Sequence, residues 1–485
     1  MANAVILGVM VIEIDKNEWD RVQELIRQQA ERIEQLEEEV QRLKKLLEGR
    51  ADAKGAKQPK FTENYSLGRS KRNQPKKQRK KSTGRRTHEA KRELATREVD
   101  VYREGVAGKD CIRHRSQLVW RMIDGKALYV CYHIYDVPES RNPPLPPAVR
   151  NSRCEFGMEI ILIVAFLHYW IGVSLDHACQ IMEFFTGLKL PKSQADSLLS
   201  QLATDWDEQY DTIAELIALQ MIVYIDETGW KVGEKSCYTW VFSTAMHVLF
   251  RCGVSRKKEE AIAVLGDSFE GIGVTDDYAA YKSLFSQHQL CWAHLIRKAI
   301  KLALQHPDQD EYATFLDELC AIYDDAKRLQ KDGRLSVGRE EKSRELQARV
   351  QSLCTRSEET IVKNVTPEHE ETFILLQREL STNLECLFVF VERPEVEPTN
   401  NRSERNVRRE AEIRKGARTS KSESGAHRRS VIVTVLASLQ TRMGNFTLAS
   451  LLGEVQQWLD NKCSIFEQEL HRLQNPNAPP AAVSG

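Results

Sequence analysis

Between residues 221 and 304 the sequence changes its period, and that change limits the folds open to the chain. MIVYI (221–225) is an unbroken apolar run ending in Asp226. CYTWVFST (237–244) and MHVLFRC (246–252) follow closely enough for antiparallel hairpins. KKEEAIAVLG then reads as a helix, GIGVT (271–275) as a strand ending in Asp276, and AAYKSLF as a helix. QLC (289–291) reads as a short strand before the helix WAHLIRKAIKLAL. Hairpins give antiparallel pairs, and strands joined through a helix return parallel, so this order predicts a mixed sheet.

Three strands, a helix, a strand, a helix, a strand and a helix is the order of a ribonuclease-H-like fold. In such a sheet the first and fourth strands are neighbours, and Asp226 and Asp276 occupy their ends. Two aspartates leave a hard divalent cation short of ligands, and a third carboxylate from a nearby helix completes the set. The segment PTNNRSERNVRR (398–409) offers Glu404, one acid among Arg402, Arg405, Arg408 and Arg409. Alone it reads as a solvated partner of those arginines. Beside two aspartates it reads as a metal ligand, with guanidinium forks holding phosphates.

The rest of the chain fits a polyanion-binding protein. The 70 basic and 70 acidic residues cancel, yet residues 51–100 alone carry sixteen Lys/Arg against six acids. Lys76, Lys77, Arg79, Lys80, Lys81, Arg85 and Arg86 lie in a stretch too poor in large apolar residues to fold alone. Such an arm gives salt-dependent, sequence-blind affinity for nucleic acid. Upstream, Trp19, Ile26, Ile33, Val40 and Leu47 share one heptad position, and Val22, Gln29, Leu36 and Leu43 the other. This pattern predicts a parallel coiled-coil dimer. AVILGVMVIEI lacks a preceding basic residue and IILIVAFLHYWIGV (160–173) is shorter than a bilayer span, so neither reads as a membrane element. Eleven cysteines without a repeating frame point to a reducing compartment.

Cys111, His114, Cys131 and His133 match a zinc site by count, although one residue between the second pair makes chelation by both awkward. SLDHACQIMEFFTGLKLPKSQADSLLSQL (174–202), with a turn at Gly187, reads as a helix-turn-helix or as two core helices. Cys291 and His294 stand one helical turn apart, and Arg414, Lys415 and Arg418 open a basic loop. Glu227 alternates away from Asp226, which gives it a polar supporting contact.

YIDETGWKV (224–232), GVTDDYAAY (273–281), CWAHLIRK (291–298) and PTNNRSERNVRR, in that order, closely resemble the motifs of bacterial DDE transposases of the insertion-sequence-66 type. The resemblance runs from about 150 to 460. It implies a metal-binding triad of Asp226, Asp276 and Glu404, with Asp277 the rival for the second place. It places His294 near the scissile phosphate or a triad carboxylate. It implies two Mg²⁺ ions, Mn²⁺ substituting, and phosphoryl transfer that cleaves transposon ends and joins their 3′-hydroxyls to target DNA. The partners implied are double-stranded DNA, a second copy of the chain and helper proteins of the same element, in a cytoplasmic, nucleoid-associated setting. An idle DNA-binding descendant and a ribonuclease-H-like nuclease are the alternatives.

The expected architecture is multidomain α+β. It comprises a coiled coil (1–49), a basic linker (50–98), a zinc-ribbon-like patch with a proline-rich spacer (99–150) and a helical region (151–215). The catalytic core follows in two parts (216–304 and 393–462) around a helical insertion (305–392), with a C-terminal tail (463–485).

Overall fold

The computed structural model describes residues 3–7, 10–14, 88–106, 110–281, 284–355, 367–416 and 418–475. The heptads of 19–47 and the basic residues Lys76 to Arg86 lie outside the described residues. Strands β1 (Asn3–Leu7) and β2 (Met10–Ile14) pair antiparallel, with Leu7 opposite Met10. The chain start is therefore a β-ribbon, where the sequence suggested direct entry into the coiled-coil unit. Its β-branched residues favour the extended form.

Residues 97–136 form a three-stranded sheet in the order β3 (Arg97–Tyr102), β5 (Lys126–Asp136), β4 (Ile112–Ile123). The β4–β5 hairpin turns at Asp124 and Gly125, both left-handed at φ 50° and 73°, the conformation that matches strand twist. A helical region follows. Met158–Ala165 runs on as a π-helical turn to Trp170, then come Leu175–Thr186, Lys192–Asp205 and Asp207–Ala218. Ser174 caps its helix by accepting from the His177 N–H, and Gly187 ends it at φ 75°.

The central sheet has five strands in the order β10-β9-β6-β7-β8. These are β6 (Ile222–Val232), β7 (Lys235–Ser243), β8 (Val248–Val254), β9 (Ile272–Thr275) and β10 (Gln287–Leu290). β6–β7 and β7–β8 are antiparallel, whereas β6–β9 and β9–β10 are parallel. Two local expectations need correction. β6 does not stop at Asp226; it continues to Val232 because Thr228, Trp230 and Val232 keep pairing with β7. In AAYKSLF the described residues do not form a regular helix. Its described part holds one 3₁₀ turn, Ala279–Tyr281, and the segment is anchored by aromatics: Tyr281 is fully buried and Phe285 packs against Gly273.

Two apolar cores flank the sheet. One joins β6–β8 to the helices around 158–218 and to the long helix Glu423–Arg442. The other joins Tyr224, Ile272, Val274 and Leu290 to the helix Trp292–Gln305 and to the helices Asp310–Lys331, Ser336–Cys354 and Glu368–Thr382. β8 would be an exposed sheet edge, but the Glu423–Arg442 helix covers it. The hydroxyls of Ser438, Thr434 and Ser430 accept from the N–H groups of Val248, Phe250 and Cys252 at 2.9–3.0 Å. Positions four apart on a helix advance about 6 Å and alternate strand residues about 6.6 Å, so the two rows stay in step. The expected tail includes a docked helix, Ile465–Gln474, whose Phe466 is completely buried.

Candidate active site

Asp226 and Asp276 are brought opposite one another by strand register. β6 and β9 pair Ile222 with Ile272, Val223 with Gly273 and Tyr224 with Val274. Two further steps set Asp226 level with Asp276, on the side shared by Tyr224 and Val274. β9 ends at Thr275 while β6 runs on, so Asp226 sits where its parallel partner stops.

The third acid arrives on the helix Asn401–Lys415. Asn400 precedes this helix, but its side chain does not cap it. The amide instead donates to the Ile225 carbonyl at 2.6 Å, and the Ser403 hydroxyl donates to the Tyr224 carbonyl at 2.7 Å. The Asn400 backbone N–H also points at Cys291 Sγ, 3.2 Å away. These bonds fasten the first turn of the helix across β6 immediately before Asp226. These two side chains, Asn400 and Ser403, each able to bond a neighbouring backbone, are the signal in PTNNRS that the sequence analysis did not use.

Electrostatics record the convergence. The Asp226 carboxyl is pushed up to about 8, first by burial, then by the negative charges of Glu227, Asp276 and Glu404. Asp277 is not among its strongest influences, which favours Asp276 as the second acid. Asp226 Oδ1 accepts from the Glu227 N–H at 2.9 Å, and Asp276 Oδ1 from the Tyr278 N–H at 3.1 Å. Carboxylates crowded this way, partly withdrawn from water, suit a hard divalent cation.

Glu404 has three further neighbours. Arg297 donates to Oε2 at 2.8 Å, His294 Nδ1 lies 3.4 Å from Oε1, and Cys291 Sγ lies 3.7 Å from Oε1. Arg297 was not singled out in the sequence; it stands one helical turn beyond His294. Glu227, whose charge acts most strongly on Asp226, accepts from Arg256 Nε and a terminal nitrogen at 2.9 and 2.7 Å and from the Tyr281 hydroxyl.

The family model described as Transposase IS66 family matches residues 153–428, more than half of the chain. The chain belongs to the IS66 transposase family. No curated protein matches it. In this transposase the matched segment contains the sheet, all three acids and the helical insertion, so the site lies wholly within the family's region.

The basic residues expected at DNA divide sharply. Arg405, Arg408 and Lys415 are exposed. Arg402 is paired with Glu397 and lies over the Tyr224 ring at 5.3 Å. Arg414 donates to the Gly229 carbonyl at 2.7 Å, and Arg418 to the Gly172 carbonyl at 2.6 Å. Arg409 departs from expectation. Its guanidinium stacks 3.6 Å over the Trp170 ring, and burial pushes it down to about 10. It lies on the side of the helix facing the 158–170 segment, so it braces the fold and is not available to a phosphate.

The expected zinc quartet is not assembled. Cys131 and His133 share one face of β5 and meet Glu98 from β3. His133 Nε2 is 3.3 Å from Glu98, and its Nδ1 is 2.9 Å from the Ser116 hydroxyl. His114 bonds the Val137 carbonyl at 2.9 Å. Cys131 pairs with Leu118, which sets Cys111 seven residues away along the hairpin, roughly 20 Å at the rise of a strand. Among the described residues no helix is long and apolar enough to cross a membrane.

Proposed function

We propose that this IS66-family chain cleaves phosphodiesters at transposon ends and joins the freed 3′-hydroxyls to target DNA, using Asp226, Asp276 and Glu404 on a ribonuclease-H-like core. The observation that carries the reading is the approach of Asp276 and Glu404 to the buried Asp226. Asp226 is held near a value of about 8 by burial and by its carboxylate neighbours, a situation that a divalent cation relieves. The oxygen donor set fits Mg²⁺, with Mn²⁺ substituting, and offers nothing to a soft metal in the Asp226–Asp276 pair. A pair of ions held by these residues supplies Lewis acidity toward in-line phosphoryl transfer.

The chain's own residues do the positioning. Asn400 and Ser403 hold Glu404 against β6, and Glu227, locked by Arg256 and Tyr281, stiffens the strand carrying Asp226. Arg405 and Arg408, close to Glu404 on its helix, and Lys415 at the far end of that helix present exposed cations for the DNA backbone. The basic stretch 69–86 adds non-specific affinity, and the heptads of 19–47 bring two copies together.

The test is nicking of duplexes that carry the element's ends. The purified chain cuts with Mg²⁺ and not with chelator, and Asp226→Asn, Asp276→Asn and Glu404→Gln each abolish cutting. Undiminished cutting by Glu404→Gln rejects the triad. A strand-joining assay on the same substrates separates a transposase from a nuclease that only hydrolyses.

A further inference from the structure

We propose that Cys291, His294 and Glu404 form a second metal site, for a borderline-soft divalent ion of the Zn²⁺ class, which shares Glu404 with the carboxylate pocket. The three donors are a thiol, an imidazole nitrogen and a carboxylate oxygen, and their ligand atoms all lie within 4.8 Å of one another. This mixture differs in kind from the all-oxygen surroundings of Asp226 and Asp276. Sulfur and imidazole donors favour Zn²⁺ or Co²⁺ and repel the strongly hydrated Mg²⁺.

The spacing suits a tetrahedral ion. Metal–ligand bonds near 2.0–2.3 Å put neighbouring donors of a tetrahedron about 3.3–3.8 Å apart. Glu404 Oε1 lies 3.4 Å from His294 Nδ1 and 3.7 Å from Cys291 Sγ. Cys291 and His294 come from the start of one helix with two residues between them, the separation at which side chains converge over a single turn.

Two observations point to a ligand and not merely to a packed corner. His294 Nδ1 is a buried atom with no hydrogen bond, although it faces the carboxylate. In the tautomer that carries its proton on Nε2, such an atom is an acceptor open to a cation. Cys291 is 1% exposed, yet its sulfur is aimed at Oε1 and steadied by the Asn400 N–H. Arg297 holds only Oε2, and its half-exposed side chain can turn to solvent when a cation takes Oε1.

The site stands on these three residues, whether or not the acids catalyse transposition, and its test is spectroscopic. The full-length chain, stripped with chelator, is titrated with Co²⁺. A thiolate-to-cobalt charge-transfer band should appear and be bleached by one equivalent of Zn²⁺. Cys291→Ser should remove the band, and His294→Ala should weaken Co²⁺ binding at least about tenfold. Asp226→Asn and Cys131→Ser should retain it, the first separating this site from the carboxylate pocket and the second from the Glu98–Cys131–His133 group. His294 is partly exposed, so its substitution decides the matter if Cys291→Ser fails to fold. No thiolate band in the parent chain overturns the proposal. So does a band that survives Cys291→Ser, or Co²⁺ affinity unchanged in His294→Ala.

Discussion

The side-chain amide of Asn400 donates to the carbonyl oxygen of Ile225 at 2.6 Å, one residue before Asp226. This bond ties the helix that carries Glu404 to the strand that carries Asp226. Truncating it leaves every carboxylate in the chain but loosens their mutual placement. A misplacement of about 1 Å can cost about 10²-fold in rate. Asn400→Ala should therefore lower Mg²⁺-dependent end cleavage by about that factor, with only a modest change in the thermal melt. Unimpaired cleavage by Asn400→Ala would show that the bond does not position Glu404.

Asp226 makes stability depend on pH in a defined direction. Its folded-state value is raised to about 8, whereas an unfolded aspartyl group titrates near about 3.9. Between those values the folded chain keeps a proton that the unfolded chain has lost. Stability of the metal-free protein should fall as pH rises through about 4 to 8, then level off. Asp226→Asn should flatten that part of the profile. Melting curves with and without Mg²⁺ at pH 8 check the counterpart: the ion should raise the midpoint in the parent chain and do little in the variant.

Arg429 places both Nε and a terminal nitrogen on the Glu410 carboxylate at 2.8 Å, with both side chains almost wholly buried. The pair joins the Glu404 helix to the long helix closing the sheet, and Arg429 also lies 4.8 Å over Trp230. Removing one charge leaves the other stranded in the interior. Glu410→Gln should destabilise the chain by about 3–5 kcal/mol in urea unfolding. A loss under about 1 kcal/mol would mean that solvent reaches the pair.

The hydroxyl row on the closing helix supports a similar experiment. Thr434→Val keeps the volume but leaves the Phe250 N–H without its acceptor. The expected loss is about 1–3 kcal/mol, because a buried donor loses its partner. An equal melt for the two chains would imply that the strand finds another acceptor.

The core order was legible because apolar runs of strand length alternate with helix patterns, and Asp226 and Asp276 stand at a change of period. Glu404 stood out as a candidate ligand only through its companions, since an acid among arginines is ordinary on a surface. Arg409 was misread because a sequence does not show which side of a charged helix meets Trp170. The bonds from Asn400 and Ser403 were hidden for a related reason: they depend on a strand more than 170 residues earlier. The cysteines and histidines of the small sheet matched a site by number, but strand register decided who met whom, and it chose Glu98.

The Trp292 ring N–H is bonded to the Leu387 carbonyl, and its backbone N–H donates to the Pro398 carbonyl at 3.0 Å, just ahead of Asn400. The last acid is thus delivered by a path leading through the inserted helices, 128 positions after Asp276. A chain emerging from the ribosome shows its two aspartates long before the glutamate, and domains fold as they emerge. Truncated or half-made copies would therefore possess the five-stranded sheet with Asp226 and Asp276 but lack Glu404 and the helix that carries it.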